Sequence, residues 1–339
     1  MISLLVGLTA AFALAACRKE SSVPPPPKPL TAKLATFRHI QSALPVAAIQ
    51  SNTIEPGTDC IAKGGLQLTL VPRTQGPDII DALSSNSVEF GTLAVTPTVL
   101  QALQGHDLTI FATISTTDHD IKLVARKAAG VTSGDALRGK NVGYASGTYG
   151  EIYLDRYLQK HHILRSEVHL VSAAPPQLRD LVVSGGLDAA VLWEPFVNDL
   201  LTDSAMRDTP LFVDADPSIY VGRISLVAKP AVLAAHRGEA EALVREMICA
   251  ENVMHANPDG ARHGLEKWLD RKPDSLRGLI ELKTFHVDLD VPALSANLKD
   301  EAAWAAKAVF SGRVSTPSNL DRLIDSSVLE SVDKNRVRH

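Results

Sequence analysis

The chain has no excess of basic residues: 34 Lys and Arg stand against 38 Asp and Glu, for a formal net charge of −4. Nucleic-acid binders carry a basic stripe or patch, so this balance argues against that class. Aromatic residues are scarce, at 5% of the chain, which leaves no platform for stacking bases. The three cysteines, Cys17, Cys60 and Cys249, form no Cys-x-x-Cys pair and no Cys/His cluster with zinc spacing. Neither a metal nor a cofactor is therefore expected. No Gly-x-Ser-x-Gly elbow accompanies Asp118-His119, which argues against a catalytic triad.

What is present is an ordinary globular composition, 45% hydrophobic and 21% charged. At 339 residues the chain is long for one core, so two domains or lobes are expected. Residues 1–17 are uncharged and apolar or small almost throughout, ending Leu14-Ala15-Ala16-Cys17. They read as an export signal, too short for a stable membrane span. With Cys17 directly after the small residues, the segment resembles a bacterial lipoprotein signal, which implies lipidation of Cys17 and a membrane anchor. A plain signal peptide with an incidental cysteine is the alternative. Residues 18–30, with four consecutive prolines, read as an extended tether. Cys60 and Cys249 then stand either as one disulfide, which export permits, or as two free buried thiols.

From Lys33 the pattern alternates strand and helix, which implies mainly parallel sheets covered by helices. Leu66 to Val71 alternates apolar and polar residues as a strand does. Gly76-Pro77 opens a helix with proline in its first turn. Val88 to Leu93, Leu108 to Ile114, Asn141 to Tyr144 and Asp188 to Trp193 are further strands. Thr148 to His161 is a helix, and Thr148 and Glu151 have the spacing of a capping box. Three helical segments follow from Ala240 to Phe310.

Candidate site residues fall where strands end. Ser146-Gly147-Thr148 places backbone N–H groups and two hydroxyls at a helix start, suited to an anion or a strong acceptor. An ordinary capped helix is the other reading, and Glu151 in the first turn competes with any anion. Trp193 at a strand end offers an apolar wall and an N–H donor, with Glu194 as acceptor. A core tryptophan beside a helix-start glutamate is equally consistent. His39, next to Gln41, ends the first strand and is either a cleft residue or a solvated one.

These residues together resemble the substrate-binding proteins of bacterial ABC importers, in the group that carries aliphatic sulfonates, taurine, nitrate and thiamine-pyrimidine precursors. The resemblance rests on Gly186 to Phe196, on Leu137 to Tyr144 leading into Ser146-Gly147-Thr148, and on Val88 to Gly91 with Thr96-Pro97. It implies a two-lobe, type II periplasmic-binding-protein-like α/β fold with two hinge crossings. Lobe one would hold residues 31–120 and 226–330, lobe two 121–225, and 331–339 would be a tail. Carried over by position, it implies ligand contacts from His39, Gln41, Gly76, Thr96, Thr117, Ser146, Gly147, Thr148, Tyr149, Trp193 and Glu194. It further implies a monomer that delivers a small molecule to a permease and ATPase complex. Sulfonate binders usually carry an uncharged residue, often glutamine, where this chain has His39. Two alternatives stand beside this one. One is an enzyme of thiamine-pyrimidine synthesis type on the same fold, whose cysteine-rich iron motif is absent here. The other is a ligand-sensing lipoprotein that feeds no permease.

Overall fold

The computed structural model describes residues 29–339, so the expected signal, Cys17 and nearly all of the tether lie outside the described residues. The chain first lays down β1 (Leu30–Phe37), α1 (Ala43–Ile49), α2 (Ser51–Ile54), α3 (Cys60–Gly64), β2 (Leu66–Arg73), α4 (Gly76–Ser84), β3 (Phe90–Ala94), α5 (Val95–Leu103) and β4 (Thr109–Thr117). It crosses at 118–120 into β5 (Ile121–Arg126), β6 (Asn141–Tyr144), α6 (Tyr149–Lys160), β7 (His169–Ser172), α7 (Pro175–Ser184), β8 (Ala189–Trp193), α8 (Phe196–Leu201) and β9 (Leu211–Asp214). It returns at 215–221 into β10 (Gly222–Ala228), followed by α9 (Pro230–Ala235), α10 (Arg237–Ala256) and α11 (Pro258–Trp268). Last come β11 (Leu289–Asp290), α12 (Val291–Ala308), α13 (Ser327–Asp333) and β12 (Val337–Arg338).

Two five-stranded sheets result, ordered β2-β1-β3-β10-β4 and β7-β6-β8-β5-β9. In each, the single reversed strand is the one entered immediately after a crossing: β5 runs against β8 and β9, and β10 runs against β3 and β4. The molecule is thus a two-lobe α/β fold in which each lobe lends the other no strand but shares two short connections.

Burial follows sheet position. The central strands β3 and β8 are buried along their whole length, as their apolar runs require. Edge strand β2 is exposed at alternate residues, matching its alternating sequence. Close packing of helices on the sheets needs glycine at two places. A Cβ on Gly91 would lie 2.8 Å from Ile79 Cγ2 of α4, and one on Gly143 would lie 2.7 Å from Leu178 Cδ2 of α7.

The described structure differs from expectation at both ends of the C-terminal region. β10 lies whole in the first sheet, including residues 222–225. The final residues are not loose: Val337–Arg338 pairs with Leu289–Asp290, and Arg336 donates to Glu251 at 2.9 Å. Cys60 and Cys249 form a disulfide joining α3 to α10 across 189 residues.

Candidate functional site

The carboxyl ends of β1, β3, β6 and β8 converge between the lobes, the position at which open α/β sheets bind ligands. Phe37, His39, Gly76, Ala94, Pro97, Thr148, Tyr149 and Trp193 enclose an empty space of about 240 Å³ there. Only about 10 Å³ of it admits the centre of a water molecule, which is room for roughly one water. The lobes are therefore closed on this space. A larger groove, about 1110 Å³ of empty space, runs along α2 and α11, but none of the unpartnered buried polar atoms belongs to its lining.

Three of the unpartnered atoms lie at or beside the small site instead. His39 Nε2, Gln41 Oε1 and Trp193 Nε1 are buried without any hydrogen-bond partner. Leaving a buried polar atom unpaired costs on the order of 1–3 kcal/mol, so the two such atoms on residues that line the cavity, His39 Nε2 and Trp193 Nε1, favour a polar partner there. His39 is only 1% exposed. Its ring stacks on Phe37 and meets the edges of Trp193 and Phe196. Burial, assisted by Lys283, holds its pKa down to about 3, so the imidazole is neutral. The backbone N–H of Gln41 donates to His39 Nδ1 at 3.5 Å, which leaves the ring proton on Nε2.

Tyr149 joins the lobes. Gln41 Nε2 donates to its hydroxyl at 2.7 Å, and its ring packs on Trp193 at 4.9 Å and on Tyr220 at 6.2 Å. Burial and the neighbouring Asp120 carboxylate raise its pKa. Asp120 itself is fully buried and accepts from Lys283 Nζ at 2.7 Å, forming a neutral ion pair under the site. Sequence reasoning missed Asp120 and Lys283. Nothing in their local sequence sets them apart, because the pair spans 163 residues.

Several expected ligand groups are engaged elsewhere. Glu151 does not complete a capping box with Thr148. Its Oε2 instead accepts from Gly147 N at 2.9 Å and from the Ser146 hydroxyl at 3.2 Å. Gly147 adopts φ +72°, which swings its N–H toward that carboxylate. Thr148 caps α6 by accepting from Gly150 N and donates to Ala145 O. Of the donors expected for an anion at this helix start, Gly147 N and the Ser146 and Thr148 hydroxyls are thus engaged within the protein. Glu194 accepts from Lys122 and from Asn198 N, so it offers the cavity no free acceptor. Burial raises its pKa and Lys122 opposes the rise. Thr117 donates to Leu282 O and sits in a separate groove with Asp118 and His119. Thr96 meets the Tyr220 hydroxyl, which in turn donates to buried Glu301. Of the expected residues, the structure brings His39, Gly76, Thr148, Tyr149 and Trp193 to the cavity, with Gln41 one hydrogen bond behind. Among the described residues, no group of three or more His, Cys, Asp or Glu side chains is positioned to hold a metal.

A family model described as NMT1/THI5 like matches residues 62–261. The chain is similar to the taurine-binding periplasmic protein of Escherichia coli (strain K12), 25% identical over 222 residues. That match covers 65% of this chain and 64% of the relative, under two thirds of the relative's own length. It is also 24% identical over 128 residues to a 4-amino-5-hydroxymethyl-2-methylpyrimidine phosphate synthase of Saccharomyces cerevisiae, covering 38% of this chain and 37% of that protein. In fold, it is similar to the alkanesulfonate-binding protein of Xanthomonas axonopodis pv. citri bound to MOPS. The TM-score is 0.69 at 16% identity, covering 88% of this chain and 99% of that one.

Proposed function

The chain belongs to the NMT1/THI5-like family, and from that membership we propose that it is an exported solute-binding protein that captures a small molecule between its lobes. In this reading it hands a sulfonate, nitrate or pyrimidine-like solute to an ABC permease and ATPase complex, as a monomer tethered to the membrane through Cys17. The single observation that supports the reading is the pair of unpartnered buried polar atoms, His39 Nε2 and Trp193 Nε1, on residues that line an aromatic-walled space at the strand ends. The two cysteines of residues 29–339 are joined to each other, which leaves no thiolate for metal or nucleophilic chemistry there.

Closure would remove the solute from water and pair it with the orphaned atoms, while the two short crossings between the sheets act as the hinge. A ligand that binds only the native state stabilises it by mass action, by about 2.7 kcal/mol at a hundredfold excess over Kd. Native mass spectrometry of the protein purified from its own host is therefore expected to show a retained small molecule. Thermal shift with that molecule is expected to raise the melting temperature, and Trp193→Ala is expected to abolish both signals. A host-purified protein that carries nothing, and whose scattering profile ignores sulfonates, nitrate and pyrimidines, defeats the reading.

A further inference from the structure

The return crossing between the sheets carries a tyrosine that sits between the two lobes. Tyr220 is buried, and its ring lies parallel to that of Tyr149, with centroids 6.2 Å apart. The Arg156 guanidinium lies over the same ring, 5.4 Å from its centre. Tyr149 and Arg156 both belong to α6, in the second lobe. The Tyr220 hydroxyl reaches into the first lobe instead. It donates to Glu301 Oε1 of α12 at 2.8 Å and meets the Thr96 hydroxyl of α5 at 3.3 Å. The same Glu301 oxygen accepts from Asn297 Nδ2 at 2.8 Å. Glu301 is fully buried, and its other oxygen, Oε2, has no hydrogen-bond partner among the described residues.

A carboxylate is poorly served at this position. Both donors converge on Oε1, as they would on the carbonyl oxygen of a neutral carboxyl group, which leaves Oε2 as the place of the proton. Burial accordingly raises the pKa of Glu301. The charged and titratable groups that face it are Tyr220 from the crossing, Arg156 from α6, and Asp300 on α12 itself, which pairs with Arg156. From β10 comes Arg223, whose guanidinium donates to Asn297 Oδ1 at 3.2 Å. From α5 the facing group is Thr96, which does not titrate.

We infer that Glu301 is a positioning residue for the cavity: as a neutral acceptor it holds Tyr220, Tyr220 holds Tyr149, and ionisation of Glu301 releases the second lobe. The inference rests on closure as proposed above and adds its regulation by protons. Opening withdraws α6 from Tyr220, so that water reaches Glu301 and returns it to ordinary carboxylate behaviour. A carboxyl whose pKa is higher in the closed form favours closure fully below the ordinary carboxylate range, and that support is lost as pH rises through the raised value. The effect reaches the cavity because Tyr149 is part of its wall and accepts from Gln41 of the first lobe.

Small-angle scattering of the full chain without added solute, from about pH 5 to about pH 9, tests this. The radius of gyration is expected to rise with pH, as the ratio of closed to open molecules falls by up to about tenfold per pH unit, the limit for one proton. Glu301→Gln keeps an acceptor for Tyr220 but cannot ionise. It is expected to stay compact across the range, with its melt checked for folding at each pH. Tyr220→Phe keeps both ring contacts and removes the donor, so it is expected to be more open than the native chain at about pH 5. Because Glu301→Gln still carries Glu246 and every histidine, a rise that it shares with the native chain belongs to another group and overturns the inference. A native profile that is flat in pH, or a Tyr220→Phe profile that matches the native one, also overturns it. None of these measurements involves a solute, so the solute-binding reading stands or falls separately on whether the host-purified protein carries a retained molecule.

Discussion

His39 and Glu246 are buried ionisable residues that burial moves in opposite directions. His39 has its pKa held down to about 3, whereas the unfolded side chain titrates near 6.5. A depressed folded pKa means that its contribution to stability is full above about pH 6.5 and is lost as pH falls toward 3. Glu246, in α10, has its pKa pushed up to about 8 by burial. A raised folded pKa means that its contribution is full below the ordinary carboxylate value and is lost as pH rises through 8. The site residue therefore limits stability on the acid side and the helix residue on the alkaline side. Glu246→Gln removes the alkaline loss. It is expected to raise stability by about 1–3 kcal/mol near pH 8 and to have little effect near pH 5. Urea titrations at the two pH values check this, and an equal effect at both would show that Glu246 does not titrate as its burial implies.

At the scale of elements, α3 and α10 illustrate how a short helix is held in place. α3 has five residues, too few to persist on its own propensity. Its start is capped by Asp59, whose side chain accepts from Ala62 N at 2.9 Å, and its first residue, Cys60, is bonded to Cys249. The disulfide closes a loop of 189 residues, so it constrains the unfolded chain strongly. Replacing both cysteines by serine is expected to cost about 2–5 kcal/mol, read as a lower denaturant midpoint in urea. An unchanged midpoint would mean that packing of α3 against α10 already supplies the restraint. Helix α6, in the second lobe, works differently. Its first turn is tied by Glu151 to the loop at 146–147, and Arg165 Nη2 donates to Glu151 Oε1 at 3.0 Å from beyond its far end.

For the whole molecule, that tie becomes part of a link between lobes. Trp304 Nε1, on α12, donates to Asp155 Oδ2 at 2.9 Å across the cleft. Asp155 also accepts from Arg165, which reaches on to Glu151 and through it to Gly147 and Ser146. Arg156 pairs with Asp300 beside this chain of contacts, and Arg271 of the first lobe pairs with Asp199 of α8. The closed form is thus latched by polar contacts on exposed and half-buried surface, each of modest strength. Trp304→Phe keeps the ring and removes the donor. In the absence of ligand it is expected to open the molecule, seen as a larger radius of gyration in small-angle scattering. Because closure must then be driven by ligand alone, affinity is expected to weaken by up to about tenfold. An unchanged profile and affinity would remove Trp304 from the latch.

The sequence by itself determined the two-lobe alternation of strands and helices, the exposure of β2 against the burial of β3 and β8, and the strand ends at His39, Thr148 and Trp193 that meet at the cavity. These are local properties: periodicity, caps and turns depend on neighbours within a few residues. Only the tertiary structure decided which polar groups were free. Ser146, Gly147 and Glu194 looked open in sequence, yet their partners Glu151 and Lys122 take them up in the fold. Cys60 found Cys249, and Asp120 found Lys283, over separations on which sequence spacing carries no information. A hydrogen bond or disulfide depends on distances of a few ångströms between segments far apart in the chain. That is why strand ends could be read from local sequence, while the polar partners each of them meets could be read only from the folded structure.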